Sequence, residues 1–401
     1  MKNWYKEVIN ALHLREPLTA LEEKTVPRHK HSFWYYLGGL TLLFFIVQIV
    51  SGVLLLFYYE PSVQGAHKSV ERIMTSVPFG WLVRSIHSWG ANVVVAVMIA
   101  HMFSTFFLKS YRMPRHLMWI SGVVLLMLML GFGFTGYLLP WDETAYFATK
   151  VGAEVPNEVP IIGEFISSII KGSADVSGAT LTRLFALHVA VLPILSILLV
   201  VVHITMVALF GVSTPIGTTV KGKEKYFPSY FTKEMMVWLL GFGVLIAIAM
   251  MYPWELGKAY DIYNPSEPPE GVHPEWYFMF LFQTVRVVPE WVALLGFGLL
   301  MGFWTLVPFL DKHADKERKS PIFTMIGCGI IAMLLALTVW GYISVSEEIT
   351  SAAKPPTAIM AKQDDESILV VSLFLVVIAF ATFVLWLWRR NKHKTDSTMY
   401  S

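Results

Sequence analysis

Two pairs of histidines lie inside long apolar stretches of the chain at nearly equal spacing. His87 and His101 are 14 residues apart, and His188 and His203 are 15 apart. On an α-helix a step of 14 residues rises about 21 Å and returns to within roughly 40° of the starting direction, whereas a step of 15 ends roughly 60° away. Two such helices packed side by side would present two facing histidine pairs, one near each membrane surface. This arrangement predicts ligands for two metal macrocycles.

An intramembrane histidine is a functional candidate because an unpaired imidazole is costly in hydrocarbon. The alternative is that each histidine hydrogen-bonds a neighbouring helix, as polar side chains between membrane helices often do. The matched spacing favours metal coordination, since neutral imidazole is a good iron ligand and the facing helices of a bundle commonly hold cofactors.

Four glycines repeat the histidine interval. Gly38 and Gly52 are 14 residues apart in the first apolar stretch, and Gly122 and Gly136 are 14 apart in the third. A flat porphyrin between helices requires a close approach of the backbone, which glycine permits. Ordinary packing of small residues between membrane helices is the alternative.

One arginine precedes the first histidine of each pair. Arg84 lies three residues before His87, and Arg183 lies five before His188. A fixed guanidinium there would neutralise the propionates of a haem, although an arginine that only marks the membrane interface is the alternative. A basic cluster in the next loop could serve the inner macrocycle, and it consists of Lys109, Arg112 and Arg115.

The composition is strongly apolar. Of the 401 residues, 55% are hydrophobic and only 15% are charged, and the mean hydropathy is +0.56, which is typical of membrane proteins. A net charge of +2, without a basic tail of the kind that binds nucleic acid, predicts no nucleic-acid binding. The single cysteine, Cys328, leaves no internal disulfide or cysteine-based cluster to expect. The polar N-terminus lacks the apolar core of a cleaved signal peptide, so we expect the first span to be retained.

The apolar runs predict an all-α, polytopic membrane protein with eight transmembrane helices, the first four of which form a haem-binding four-helix bundle. The predicted spans are about 33–57, 81–108, 117–138, 181–209, 234–251, 291–310, 322–345 and 367–388. Both terminal segments and the loops after the second, fourth and sixth spans are basic, whereas the connection 139–180 is acidic. Because Lys and Arg gather on the cytoplasmic side, we expect both termini in the cytoplasm and the protein in the cytoplasmic membrane.

A change of composition near 211–230 divides the chain into a domain 1–222, with all four intramembrane histidines, and a domain 223–401. The second domain carries Pro274-Glu275-Trp276-Tyr277 in an outer connection. A carboxylate among prolines and aromatics near the membrane surface could accept a proton from a hydroxyl on an apolar ring. A surface acid at the start of a short helix is the alternative. Tyr137, at the outer end of the third span, could form another wall of such a pocket.

Taken together, these residues resemble the cytochrome b family of the bc-type quinol oxidases, in its b6-like branch, over about residues 25–345. The resemblance rests on the four histidines, the four glycines, the third-span ending Gly136-Tyr137-Leu138-Leu139-Pro140-Trp141-Asp142, and the family's quinol-site signature Pro274-Glu275-Trp276-Tyr277. The 15-residue histidine step indicates the b6-like branch. The chain thus resembles a b6-like first half fused to a subunit IV-like second half.

The resemblance implies a dihaem subunit of a quinol:electron-acceptor oxidoreductase. His87 and His188 would hold an outer, low-potential b-type haem. His101 and His203 would hold an inner, high-potential one. The expected partners are a Rieske iron–sulfur protein, a c-type cytochrome subunit, membrane lipid and a second copy of the complex in a homodimer.

The resemblance also implies an outer quinol oxidation pocket lined by Glu275, Tyr277 and Tyr137. Quinol oxidised there would release two protons outward, hand one electron to the Rieske protein and send the other across the haems to quinone at an inner pocket. Proton translocation would follow from the separation of the two pockets. Residue candidates for the inner pocket are Tyr36, His31 and Lys225, each as easily a residue of the cytoplasmic surface.

Three features depart from the b6 pattern. Tyr36 stands where b6-type chains carry the cysteine that tethers an additional haem, so we expect no covalently attached third haem. The two halves are fused in one chain, and the eighth span exceeds the three helices of the separate subunit. A secondary transporter is an alternative from another class, but it predicts inverted repeats and broken helices, whereas the two halves differ in length and histidine content. A structural anchor for other subunits would leave the four histidines without a role.

Overall fold

The computed structural model of the protein describes residues 23–263 and 265–352, and this part of the chain is almost wholly helical. The helices, in chain order, are α1 (Tyr36–Leu56), α2 (Ala66–Thr75), α3 (Gly80–Phe107), α4 (His116–Tyr137), α5 (Glu143–Glu154), α6 (Gly163–Lys171), α7 (Gly178–Ala186), α8 (Leu192–Phe210), α9 (Phe231–Met251), α10 (Trp276–Val287), α11 (Glu290–Leu310), α12 (Lys312–Asp315) and α13 (Pro321–Ala352). Two short strands, β1 (Thr25–Pro27) and β2 (Lys223–Lys225), are the exceptions to the predicted all-α class within the described residues.

Short turns of other helical types complete these elements. Ser32–Tyr35 and Val155–Glu158 are 3₁₀ turns, and Leu187–Val191 and Tyr226–Tyr230 are π turns. The first of the π turns joins α7 to α8 without a break, which makes Gly178–Phe210 one long helical span.

Seven helical segments of the described chain are long and apolar enough to cross a membrane. They are Ser32–Leu56, Gly80–Phe107, His116–Tyr137, Gly178–Phe210, Tyr226–Met251, Glu290–Asp315 and Pro321–Glu347. Each overlaps one of the first seven predicted spans, so the prediction of a multi-pass helical membrane protein is confirmed. The eighth predicted span, 367–388, lies outside the described residues.

The chain forms two compact units that interleave along the sequence. Within the described residues, the first comprises 23–142, 176–259 and 303–319, and the second comprises 143–175, 260–302 and 320–352. The first unit contains α1 to α4, α7 to α9 and all four intramembrane histidines. The second contains α5, α6, α10 and α13. The division of the chain at residue 222 stays a prediction from the sequence.

Helix pairing in the first unit brings the predicted glycine helices beside the histidine helices. In this unit α1 packs along α3, and α4 packs along α8. Helix α9 packs on both α1 and α3. The glycines of α1 therefore face the histidines of α3, and the glycines of α4 face those of the fourth span.

Basic segments that were predicted to share one side of the membrane are joined at one end of the first unit. Strands β1 and β2 pair antiparallel, with Val26 opposite Glu224. The Arg112 guanidinium donates to Ser213 Oγ and to the carbonyl of Thr214, both at 2.7 Å. These contacts connect the N-terminal segment, the loop after α3 and the segment after α8, which agrees with the predicted alternation of sides.

Aromatic packing and one buried hydrogen bond close the same end of the unit. Phe106 stacks on Trp304 with ring centroids 4.8 Å apart, and Trp119 donates its indole N–H to the Trp304 carbonyl at 2.8 Å. The buried Tyr111 hydroxyl donates to Asp311 Oδ2 at 2.7 Å. Burial and the adjacent carboxylate raise the pKa of Tyr111, so its hydroxyl keeps the proton that it donates.

We expect Tyr111→Phe to lower stability by about 1–3 kcal/mol, because the substitution leaves a buried carboxylate oxygen without this donor. The check is the apparent thermal unfolding temperature of the purified protein in detergent. Tyr58→Phe is the matched control, since the Tyr58 side chain is 44% exposed. Equal unfolding temperatures for the two variants would contradict a stabilising role for the Tyr111 hydrogen bond.

Candidate functional site

The structure brings the four intramembrane histidines together as two pairs. His87 and His101 project from the uninterrupted helix α3, and His188 and His203 from the fourth span. The imidazole centroids of His87 and His188 are 6.3 Å apart, with ring planes inclined at 75°. His101 and His203 lie close enough to interact electrostatically. These are the two pairs that the spacing predicts.

A π turn corrects the direction of the histidines in the fourth span. A regular helix would turn His203 about 60° away from His188 over 15 residues. The structure has a π turn at Leu187–Val191, which includes His188, and a π turn holds one more residue than an α-turn because its hydrogen bonds run from i to i+5. Pro193 follows at once and has no N–H for the regular ladder. The extra residue is absorbed there, so both histidines reach their partners on α3.

Each of the four predicted glycines lies directly against one histidine ring. A Cβ atom at the glycine position would lie within contact distance of the imidazole Cε1 atom in all four cases: 3.2 Å for Gly38 and His101, 3.2 Å for Gly52 and His87, 3.6 Å for Gly122 and His203, and 2.6 Å for Gly136 and His188. The glycines therefore make room for the imidazoles themselves. The sequence predicted a close approach to the backbone at these glycines, and the structure has it. The group that approaches the backbone is the imidazole ring of a histidine.

Hydroxyl side chains bond three of the histidines, and the sequence reasoning missed them. Each hydroxyl residue stands immediately before a glycine, and each hydroxyl lies within hydrogen-bond distance of an imidazole Nδ1: 2.9 Å for Ser51 and His87, 2.8 Å for Ser121 and His203, and 3.1 Å for Thr135 and His188. A serine or threonine before three of the four glycines was the signal that could have revealed them.

The same hydroxyls settle which imidazole nitrogen carries the proton. Ser51 donates its own proton to the Val47 carbonyl at 2.6 Å, Ser121 to the Met118 carbonyl at 2.9 Å, and Thr135 to the Gly131 carbonyl at 2.8 Å. Each hydroxyl oxygen is then left to accept from Nδ1–H. A neutral imidazole with its proton on Nδ1 keeps a lone pair on Nε2, which is the form that binds a metal.

The paired imidazoles could hold the iron of a haem between them. Imidazole nitrogens bind a metal at about 2 Å, so two rings that share one metal ion lie at about the 6.3 Å separation of His87 and His188. Neutral imidazole is a common axial ligand of haem iron. Hydrogen bonds to the other ring nitrogen, as the hydroxyls provide here, hold such ligands in orientation.

The two predicted propionate partners lie in different settings. Arg84 is only 6% exposed and donates to the carbonyls of Trp254 at 2.6 Å and Glu255 at 3.2 Å, with Met74 Sδ also within 3.0 Å. The Arg84 guanidinium thus anchors the segment after α9, and its role towards a propionate stays a prediction. Arg183 lies on the exposed side of α7.

The basic cluster after α3 has protein partners of its own. The Arg115 guanidinium donates to the carbonyls of Phe210 and Gly211, both at 3.1 Å. The Lys109 ammonium lies 4.6 Å from the centroid of the Phe106 ring. With the Arg112 bonds to the segment after α8, these contacts show that the cluster holds this end of the unit together.

In the second unit, Glu275 and Tyr277 lie at the start of helix α10. Glu275 is the residue that precedes the helix, and Tyr277 is buried in its first turn. Burial raises the pKa of the Glu275 carboxyl, although the neighbouring His273 acts in the opposite direction. Helix α10 packs along α13, and the His273 ring lies 5.4 Å from that of Tyr342 on α13. A partly buried carboxyl with a raised pKa is suited to accept and release a proton.

The remaining predicted residues lie in the first unit. Tyr137 is the last residue of α4. Among the candidates for an inner pocket, the Tyr36 ring stacks on Tyr230 with centroids 5.0 Å apart, His31 directly precedes the 3₁₀ turn at Ser32–Tyr35, and Lys225 ends strand β2.

The helical membrane fold and the paired histidines define the class of the protein as a membrane protein with candidate metal ligands inside a helix bundle. Residues 21–211 match the family model "Cytochrome b/b6/petB", and residues 262–361 match "Cytochrome b(C-terminal)/b6/petD". The chain therefore belongs to the cytochrome b/b6 family, with the N-terminal and C-terminal parts in one polypeptide. Membership of this family implies a b-type haem.

Two individual comparisons agree with this assignment. The chain is 49% identical over 348 residues to a "Cytochrome bc complex cytochrome b subunit" from Chlorobaculum thiosulfatiphilum, which covers 84% of this chain and 79% of the relative. It is also similar to a chain of a solved structure titled "Hyperthermophilic respiratory Complex III", with a TM-score of 0.75 and 28% sequence identity over 96% of this chain and 99% of the other.

The graded glycine contacts generate a prediction. A Cβ at position 136 would lie 2.6 Å from His188 Cε1, whereas one at position 122 would lie 3.6 Å from His203 Cε1, an ordinary van der Waals contact. We expect Gly136→Ala to displace His188 and to lose haem absorbance, and we expect Gly122→Ala to retain it. The measurement is the reduced-minus-oxidised spectrum per mole of chain. Equal haem content in the two variants would show that these contacts do not control the site.

Proposed function

We propose that this chain, as the cytochrome b subunit of a bc-type complex, binds two b-type haems and oxidises quinol. The observation that carries the proposal is the pair of imidazoles from His87 and His188, which face each other at 6.3 Å with their Nδ1 atoms bonded to hydroxyls of neighbouring helices. Only Nε2 of each ring is then available as a donor, which suits a metal ion between the rings.

The proposed ligands are His87 and His188 for the outer haem, and His101 and His203 for the inner one. When bound, the haems exchange single electrons. The protein supplies the placement, because the 14-residue step along α3 sets the two sites about 21 Å apart along the helix axis. Gly38, Gly52, Gly122 and Gly136 complete the sites by admitting the imidazole rings. Arg84 and Arg183 are the proposed partners of the propionates.

Glu275 is the proposed proton acceptor for quinol at the outer side. Its raised pKa, caused by burial, makes the carboxylate a better base than an exposed glutamate while leaving it ionised at higher pH. Tyr277 and Tyr137 are the proposed walls of the pocket. Quinol oxidised there gives up two protons to the outer side, one electron to a Rieske iron–sulfur protein and one electron towards quinone at an inner site, which couples the reaction to proton translocation.

The proposed assembly and location follow the family. The partners are a Rieske protein, a c-type cytochrome subunit and a second copy of the complex, and the proposed location is the cytoplasmic membrane with both termini in the cytoplasm. The contacts that join the basic segments at one end of the first unit support this orientation. Separate family matches at 21–211 and 262–361 support the division into 1–222 and 223–401.

The haem content of purified variants tests the ligands. Dithionite-reduced protein is expected to show b-type absorption with two haems per chain. Because His101 and His203 serve one haem, His101→Ala and His203→Ala are each expected to remove the same spectral component and to leave the other. His313→Ala is the control, since His313 lies exposed on α12. Two haems in both ligand variants would refute the assignment.

A second test addresses Glu275. We expect Glu275→Gln to slow quinol oxidation on the order of 100-fold, the lower end of what a positioned base contributes, with normal haem content. In the unsubstituted protein the rate should fall as the pH drops through the raised pKa of Glu275, because the protonated carboxyl cannot accept a proton. The variant should lack this acid limb.

Glu270→Gln is the matched control, because Glu270 lies exposed in the same connection. It is expected to keep both the rate and the pH profile. Unaltered turnover in Glu275→Gln would reduce Glu275 to a residue of the loop.

A further inference from the structure

One of the four histidines differs from the others in its hydrogen bonding. His87, His188 and His203 each have a hydroxyl at Nδ1. The Nδ1 atom of His101 is buried and has no hydrogen-bond partner among the described residues. The residue before Gly38, at the position that corresponds to Ser51, is Leu37.

The difference arises from the side chain at position 37 and not from the position of the ring. Gly38 and Gly52 belong to the same helix, α1, and their built Cβ atoms lie at the same 3.2 Å from Cε1 of His101 and of His87. The two imidazoles therefore approach α1 equally closely. At one of them the preceding residue offers a hydroxyl, and at the other it offers an isobutyl group.

Backbone carbonyls follow the same division. The three histidines with hydroxyl partners also lie close to a backbone carbonyl one helical turn before the glycine, and these are the carbonyls of Gln48, Phe132 and Met118. No backbone carbonyl among the described residues lies against His101 in this way. Both imidazoles of the outer pair are thus hydrogen-bonded at Nδ1, whereas the inner pair has one such imidazole, His203.

This asymmetry has a chemical consequence for a bound metal. An imidazole whose N–H donates to an acceptor is a more basic ligand through its other nitrogen. A more basic ligand stabilises the more highly charged, oxidised state of the metal and so lowers its reduction potential. Without an acceptor for its N–H, His101 is the least basic metal ligand of the four histidines. A metal bound at its site would therefore favour the reduced state.

We propose that Leu37 raises the reduction potential of the inner site by leaving Nδ1 of His101 without a hydrogen-bond acceptor. Leu37 is a positioning residue that acts through His101. A higher reduction potential makes the inner site the preferred location of the electron. It thereby directs electron transfer across the membrane from the outer site to the inner one. This inference rests on the proposed haem ligands.

The test is a redox titration of the complex that follows the two b-type absorption components separately. Leu37→Ser places a hydroxyl at the position equivalent to Ser51, and we expect it to lower the midpoint potential of the inner component without moving the outer one. Leu37→Ala is the matched control, because it removes the isobutyl group without adding an acceptor. We expect no fall in the inner midpoint for this control.

A reverse substitution keeps the test decisive if Leu37→Ser does not assemble. Ser121→Ala removes the hydroxyl from His203 and should raise the inner midpoint, and Ser51→Ala removes it from His87 and should raise the outer midpoint. The vibrational band of the imidazole N–H should move in the same variants. A purely structural role for these residues would change haem content or stability without this pattern of shifts.

The outcomes separate the inference from the proposed function. A chain without two haems, or one in which His101→Ala leaves haem content intact, would refute the proposed ligands. A chain with two haems in which Leu37→Ser lowers the inner midpoint no more than Leu37→Ala would overturn only the role of Leu37. If the Leu37→Ser variant does not assemble, unchanged midpoint potentials in Ser121→Ala and Ser51→Ala would also overturn the role of Leu37.

Discussion

The structure depends on a constraint on buried imidazole ligands that three of the four intramembrane histidines meet. The N–H of such an imidazole needs an acceptor, because an unsatisfied polar group is costly in hydrocarbon, while its other nitrogen must keep a free lone pair. A hydroxyl one residue before a glycine meets both demands. The hydroxyl donates to its own helix, accepts from the imidazole, and stands where the glycine lets the ring come close. Ser51 beside Gly52 and Thr135 beside Gly136 show the arrangement on two different helices.

This constraint explains why the helices must stay in register across the whole membrane. Two sites on one pair of helices require ligands and glycines at the same interval, and α3 meets the requirement with a regular helix. The fourth span has one residue too many, and the π turn at Leu187–Val191 takes it up. Such turns are often found at functional sites. Here the turn contains the ligand candidate His188 and is followed by Pro193, so the irregular backbone lies where a histidine direction has to be corrected.

The charged side chains at the ends of the first unit are used mainly to satisfy backbone carbonyls. Arg115 bonds the carbonyls of Phe210 and Gly211 at the end of α8, where the last carbonyls of a helix have no partner within it. Arg84 bonds the segment after α9. An arginine near a proposed haem can therefore hold backbone carbonyls with some of its N–H groups and bind the cofactor with the remaining ones. The second unit is different, because the notable charge there is Glu275, whose burial raises its pKa.

The sequence by itself determined the membrane class, the first seven spans and the grouping of the histidines into two pairs. These features are periodic and local, since hydropathy and helical spacing are properties of continuous segments. Tertiary structure decided which atoms meet. Ser121 and His203 are 82 residues apart in the chain, and Arg84 reaches a carbonyl 170 residues away. Contacts of this kind depend on how helices pack and turn, so the ring that each hydroxyl bonds, the π turn and the lone Nδ1 of His101 could be recognised only in the folded chain.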